Sequence, residues 1–418
     1  MKLIKCGKLY DGIKDELQEN MSILVDKNVI REVGENLSAP EGCEVVDLSG
    51  LTVTPGMIDA HVHIDLFDWR YVGRDTMKHS THWAVLAAAH CARRTLHRGF
   101  TTIRSVGGIL GSGYGDIEVK QAIEEGWYEG SRIICAPYYL GTTGSHGDTS
   151  QAFSRNTGLA AYMVANMPNV GNGPEFFREQ VRLQVKGGAD FIKIMATGGF
   201  ATPNDSPVQQ QLSDDELKAI LDTSKELGMT VTAHAYTPEL IQKLIRMGID
   251  GIEHGAMMDE ETARMFESTG TYLVPTFCPY DEIINLDEKE LAKKSIPFQR
   301  KLRRFSKQLI EGRKTIIGSH IKIGYGTDFV SVHNPYDCGY EYDSMMRSGM
   351  DPFRILKAAT KNNAEILGLP DVGTIEPGKL ADISGWKRDL LTDPKALLDC
   401  GYVMKDGVEY QPESVLEG

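Results

Sequence analysis

GMIDAHVHI, residues 56–64, marks a change in the character of the chain. Before it, residues 1–54 read as short β segments cut by turn residues: KLIKCGKLYDG, SILVDKNVIREVG and EVVDLSGLTVTPG. From Pro55 to about residue 375, short apolar strands alternate with amphipathic helices, the pattern of parallel β/α architecture. After GMIDAHVHI, seven further runs read as strands: TTIRSV (101–106), RIICAPYYL (132–140), FIKIMATG (191–198), TVTAHAY (230–236), GIEHG (251–255), TYLVPTF (271–277) and IKIGYGTDF (321–329).

Eight such strands predict an α/β fold, a (β/α)8 TIM barrel over residues 55–375, which needs roughly 250 residues. The helices between them are well punctuated. In SDDELKAILDTSKELG (213–228) Ser213 can cap, Glu216 completes a capping box and Gly228 terminates, and TPELIQKLIRMG (237–248) repeats the grammar. DPFRILKAATKNNAEILG (351–368) reads as the helix after the last strand. The tail then returns to β spacing, so residues 1–54 and 376–418 are expected to form a small β-sandwich domain from both chain ends.

Composition narrows the function. A net charge of -13 disfavours nucleic acid and anionic membrane surfaces as partners. No apolar run approaches the roughly 20 residues of a membrane helix, and MKLIKCGKLYDG lacks the apolar core of a secretory signal, so the expected location is the cytoplasm. Seven scattered cysteines without a Cys-x-x-Cys pair argue against both a disulfide framework and a cysteine zinc site. The basic stretch QRKLRRFSK (299–307) reads as a solvated helix face, and so do most of His79, His82, His90 and His97 in HSTHWAVLAAAHCARRTLHRG. GGILGSGYGD (107–116) lacks the last glycine of a dinucleotide fingerprint and reads as a loop.

The strand ends carry the chemistry. Alternation puts Asp59, His61, His63 and Asp65 on one side of DAHVHID, so two imidazoles can meet one ion, although a histidine pair on a strand can also be a hydrogen-bonded core element. Lys193 lies in an apolar strand, where an ammonium is costly to bury. It either snorkels towards water or reacts with carbon dioxide to give a carbamate able to bridge two cations. His234 and His254 are either satisfied core histidines or zinc ligands. Asp328 closes its strand as a helix cap or as a ligand and base.

In their order, GMIDAHVH, FIKIMATGG, TAHAY, GIEHG, GTD and the tail GTIEPGKLADI resemble the amidohydrolase superfamily, over essentially the whole chain. The similarity is to binuclear members with a carboxylated lysine on the fourth strand. TGSHGD, ATGG and AHAYTP look like the imidazolonepropionase-like Xaa-Pro and Xaa-Arg dipeptidases. Imidazolonepropionase itself uses one metal without a bridging lysine, so Lys193 argues against that activity. The resemblance implies that His61, His63 and Asp328 bind one divalent ion, zinc by default, and that His234 and His254 bind a second. Carboxylated Lys193 and a hydroxide would bridge them, and Asp328 would shuttle the proton to the leaving nitrogen. Tyr236 and His146 are candidates for holding the scissile carbonyl or a substrate carboxylate, with an ordinary structural hydrogen bond as the alternative. His333, Tyr336 and the loop from 141 to 173 are candidates for pocket lining. One departure is Arg104-Ser105, where relatives carry Arg-Asp.

The expected activity is therefore hydrolysis of an amide or peptide bond in a small carboxylate-bearing substrate, a dipeptide or N-acyl amino acid, by an enzyme that is commonly a homo-oligomer in this family. The same metals acting on another amide, urea, ester, phosphotriester or amide-linked toxin are the enzymatic alternative. A non-catalytic scaffold is the other, disfavoured because all six metal positions are filled.

Overall fold

The computed structural model describes residues 1–65, 80–108, 113–165, 168–285, 287–328 and 337–416. Both chain ends meet in one eight-stranded sheet. Its strands are β1 (Lys2–Leu9), β2 (Gln18–Glu19), β3 (Met21–Asp26), β4 (Val29–Glu35), β5 (Glu44–Pro55), and, from the far end of the chain, β14 (Ile383–Trp386), β15 (Cys400–Lys405) and β16 (Val408–Tyr410). The order is β16-β15-β14-β5-β1-β3-β4, with β2 on β1. SILVDKNVIREVG is a hairpin here: Lys27 adopts φ 56, and β3 pairs with β4 through that turn. Alternate residues such as Ile4, Cys6, Ile23, Val25, Val53 and Ile383 build this sheet's own apolar core.

The parallel strands between them fall into two sheets. One holds β6 (Met57–Val62), β7 (Phe100–Ser105) and β8 (Arg132–Cys135); the other holds β9 (Tyr139–Leu140), β10 (Ile192–Met195), β11 (Val231–Ala235), β12 (Gly251–His254) and β13 (Tyr272–Val274). Apart from the part-buried Arg132 and Ile134 of β8, their residues are all buried, as expected of strands covered on both faces. The predicted strand 132–140 is split between the two sheets at Ala136-Pro137-Tyr138, where the proline removes a backbone donor. The predicted eighth strand, 321–329, forms no ladder over its described residues. It makes a single parallel bridge, Leu273 to Ile323, and Gly324 N donates to Leu273 O at 2.7 Å. On its other side Ala60 N donates to Tyr325 O at 2.8 Å and Asp328 N to His61 O at 2.7 Å.

The predicted helix 213–228 runs Asp214–Glu226, with the reciprocal Ser213 and Glu216 capping box and Gly228 at φ 72. The predicted helix 351–368 is interrupted: Pro352–Lys357 passes through a wide π turn at Ala358–Asn362 into Asn363–Ile366. The buried Asn363 amide donates to Ile58 O at 2.7 Å and Tyr325 O at 2.9 Å, and accepts from Tyr325 N at 3.1 Å. One side chain thus ties β6 to the segment that carries Asp328. Every cysteine is a free thiol, all buried except the half-buried Cys43. No described helix is long and apolar enough to cross a membrane.

Two surface readings need correction. His82 and His90 are exposed, but His97 is buried between Glu129, at 3.3 Å, and Glu413, at 3.8 Å; His79 lies outside the described residues. QRKLRRFSK belongs to the helix Ile296–Gly318, and its Lys301 is buried rather than solvated because three acceptors meet its ammonium.

Candidate metal centre

The four expected histidine ligands lie at or near the C-terminal ends of their strands. His61 is near the end of β6 with His63 just beyond it, Lys193 is within the short β10, His234 is next to last in β11, and His254 is last in β12. His61, His254 and Asp328 offer ligand atoms that all lie within 4.8 Å of one another. Asp328 Oδ1 is 3.6 Å from His61 Nε2 and 3.5 Å from His63 Nε2. The His234 ring stands 4.6 Å from that of His254. The buried Lys193 amine lies in the fields of the Glu253 and Asp328 carboxylates.

The hydrogen bonds decide which ring nitrogen faces inward. His61 Nδ1 meets Glu253 Oε2 at 2.6 Å and His63 Nδ1 meets Gly107 O at 2.6 Å, so both carry their proton there and keep Nε2 as the lone-pair nitrogen. His234 is the opposite case. Its Nε2 faces Gly198 O at 3.3 Å, which leaves Nδ1 as the donor to a cation. His254 Nδ1 is held by the Thr276 hydroxyl at 2.7 Å.

Electrostatics agrees with this arrangement. Burial pushes His61 and His234 well below the ordinary imidazole value and His254 down to about 3, so all three are neutral near pH 7, as a metal ligand must be. Burial brings the Lys193 amine down to about 8, against the opposing pull of Glu253 and Asp328. Burial alone would raise Asp328, but the surrounding imidazoles outweigh it and hold the carboxyl below its usual range. Neutral imidazoles, one carboxylate and an amine close to its neutral form fit divalent cations of the zinc type.

The backbone is bent to the same end. His254 (φ 70), Thr276 (φ 47) and Asp328 (φ 51) are three of the seven non-glycine residues with positive φ among the described residues, a conformation costing about 1–2 kcal/mol each. Such strain concentrates where side chains are turned into a site. Asp59 supports this without joining the ligands: its carboxylate accepts from His61 N and Thr327 N, each at 3.1 Å, and from Thr327 Oγ1 at 2.6 Å.

Sequence reading missed the group beneath His61. Glu253, fully buried, accepts from His61, from Arg104 Nη2 at 2.6 Å and from Thr232 Oγ1 at 2.6 Å. Arg104 also donates to Ala60 O at 2.5 Å and to Tyr272 OH at 2.9 Å. An acidic residue preceding a histidine inside an apolar strand, with an arginine inside another apolar strand, β7, was the available signal. At the departure noted beside Arg104, the Ser105 hydroxyl donates to Asp116 Oδ2 at 2.7 Å, so a carboxylate from the next helix meets the serine.

Both candidate substrate-holding residues border the histidines. Tyr236 packs against the His234 and His254 rings at 4.8 and 5.6 Å, and its hydroxyl is 2.7 Å from that of Tyr280, a neighbour no motif announced. Burial holds the Tyr236 phenol in its protonated form. His146 stacks on His234 at 4.6 Å. His333 and Tyr336 lie outside the described residues.

Known proteins resemble this chain throughout its length. The model of the amidohydrolase family matches residues 52–409. Ochratoxinase of Aspergillus niger is 28% identical over 411 residues, covering 94% of this chain and 82% of that protein. A Xaa-Pro dipeptidase solved with methionine in its active site superposes with a TM-score of 0.85 at 30% identity, covering 98% of this chain and 99% of that one. A prolidase solved with N-methylphosphonate-L-proline superposes at 0.83 and 27% identity, covering 99% and 100%.

Proposed function

Because this chain belongs to the amidohydrolase family, and is thus a metal-dependent hydrolase of C–N bonds, we propose that it cleaves an amide or peptide bond in a small substrate with a free carboxylate, a dipeptide or N-acyl amino acid. The observation that carries this reading is the set of histidines with fixed tautomers meeting Asp328 around a buried lysine. The likeness to the Xaa-Pro dipeptidase and the prolidase supports the peptide substrate. We take the two parallel sheets, with 321–328 as an eighth strand, to be one (β/α)8 barrel, and the mixed sheet to be a small domain spanning 1–54 and 376–418.

In this reading His61, His63 and Asp328 would hold one zinc ion, His234 and His254 would hold a second, and a carboxylated Lys193 would serve as a further ligand. An amine brought to about 8 keeps a usable neutral fraction at pH 7. Its lone pair adds to carbon dioxide and its proton leaves to water, giving the carbamate. When bound, such a metal pair lowers the pKa of water from 15.7 to about 7 and polarises a carbonyl. The chain's own residues do the rest. Asp328 Oδ1, central to the histidines, accepts the nucleophile's proton and returns it to the departing nitrogen. The Tyr236 phenol, with Tyr280 fixed behind it, donates to the carbonyl oxygen or the substrate carboxylate, and His146 offers a ring nitrogen to the substrate from the other side of His234.

A second reading keeps the same centre and changes the substrate to a larger aromatic amide. Phe200, Tyr236, Tyr280 and Phe305 form an apolar wall beside His254, and the match to ochratoxinase favours it too. Zinc-loaded protein assayed against dipeptides, N-acyl amino acids, aromatic amides, ureas, esters and phosphotriesters separates the two. Turnover greatest on dipeptides or N-acyl amino acids is expected, and inactivity on all of them would sink the first reading.

A further inference from the structure

The wall of the site beside His146 is built by residues that no motif singled out. Between β10 and the helix Asp214–Glu226, the chain from Gly198 to Gln211 folds back over the metal centre. Gly198 O faces His234 Nε2 at 3.3 Å. A Cβ on Gly199 would overlap the His146 ring, so the loop lies flat against the imidazole. His146 Nδ1 is 2.9 Å from Thr202 Oγ1 and 3.5 Å from Asp205 Oδ2, and His146 N donates to Gln211 Oε1 at 2.7 Å.

Asp205 is itself held from outside the loop. Its side chain is 1% exposed, and Oδ1 accepts from Lys301 Nζ at 2.6 Å. Lys301 spends its other two donors on Gly199 O and Thr202 O, both at 2.6 Å. The ammonium is therefore fully satisfied inside the protein and has no donor left for a substrate. One turn along the same helix, Phe305 packs against Phe200, which in turn packs against Tyr236. Burial would raise the Asp205 carboxyl, yet His146 and Lys301 bring it down to about 2, so it is an acceptor across the working pH range.

We infer that Asp205 and Lys301 are positioning residues: Lys301 anchors the 198–205 loop and the Asp205 carboxylate, and Asp205 fixes His146 with its proton on Nδ1 and Nε2 turned away from the loop. Nδ1 has the Thr202 hydroxyl at hydrogen-bond distance and the Asp205 carboxylate just beyond it, and the negative charge favours a proton on that nitrogen. Part of the inference, that the His146 Nε2 lone pair then accepts from the ammonium or amide N–H of the substrate, rests on the function proposed above. The tautomer does not.

The test uses the zinc-loaded full chain, with Asp205→Asn, Lys301→Met, the double variant Asp205→Asn/Lys301→Met, and Lys301→Arg. The double variant guards against misfolding, because it removes both buried charges together rather than stranding one. The direct readout is the ring-nitrogen spectrum of ¹⁵N-histidine-labelled protein, with His146 assigned by its loss in His146→Gln. Nδ1-protonated His146 is expected in the wild type, and a mixture of tautomers in Asp205→Asn, Lys301→Met and the double variant. Zinc content should be unchanged, and Lys301→Arg should restore most of the wild-type signal. On a dipeptide, KM should rise about tenfold with kcat within about threefold, the loss of one charge-assisted hydrogen bond. A wild-type tautomer retained in all the charge-removing variants would overturn the inference, as would a fall in kcat that tracks loss of zinc. If the wild type cleaves no dipeptide, the peptidase reading fails, and the tautomer result alone decides this one.

Discussion

At the scale of single residues, Glu253 deserves the first experiment, because one carboxylate fixes a ligand and neutralises an arginine. Glu253→Gln keeps the shape but removes the charge between His61 and Arg104, both fully buried. Breaking one partner of a buried ion pair costs roughly 3–5 kcal/mol. Loss of the partner behind a metal-bound histidine costs about 10–100-fold in metal affinity. Both effects are expected together, as a lowered melting temperature of the metal-free protein and as easier zinc removal in chelator competition. Unchanged zinc affinity would show that Glu253 does not set the His61 tautomer. The residues that could be read from sequence were those whose type is chemically unusual for its surroundings: histidines, a lysine and an aspartate ending apolar strands. Glu253 was equally unusual, but it precedes His254 and was hidden by it. Lys301 was misread because a basic run on a helix is normally solvated, and only the fold brings Asp205 and two carbonyls to it.

At the scale of elements, the link between β6 and the segment carrying Asp328 runs through one amide. Asn363→Ala leaves Tyr325 N and two carbonyls without that partner in a buried place. A loss of about 3 kcal/mol is expected in urea unfolding. Activity should fall as well, because Asp328 rides on the loosened segment; full activity in a destabilised variant would contradict that coupling. The periodicity of residues 351–368 revealed a helix but not its π turn at 358–362, since a one-residue widening leaves the apolar spacing almost intact. Strands were legible where apolar runs were continuous. They were not where Pro137 split one, nor where Gly324 and Gly326 left the last segment without a ladder. The capping box at Ser213 and Glu216 was legible because it is local chemistry, complete within four residues.

At the scale of the whole molecule, five separate pieces of chain must bring their ends together before the ligand set is complete. The positive φ values of His254, Thr276 and Asp328 are the backbone's share of that convergence, and nothing in the sequence announces them. Parallel strands connected by helices put all their C-terminal ends on one side, which is why residues from position 61 to position 328 can form one site. The measurement that tests the account most directly combines metal counting with ¹³C spectroscopy on protein prepared with zinc and ¹³C-bicarbonate. The account predicts about two zinc ions per chain and a carbamate carbon signal, with both the signal and full occupancy lost in Lys193→Ala. One ion per chain, no carbamate signal, or full occupancy in Lys193→Ala would contradict it.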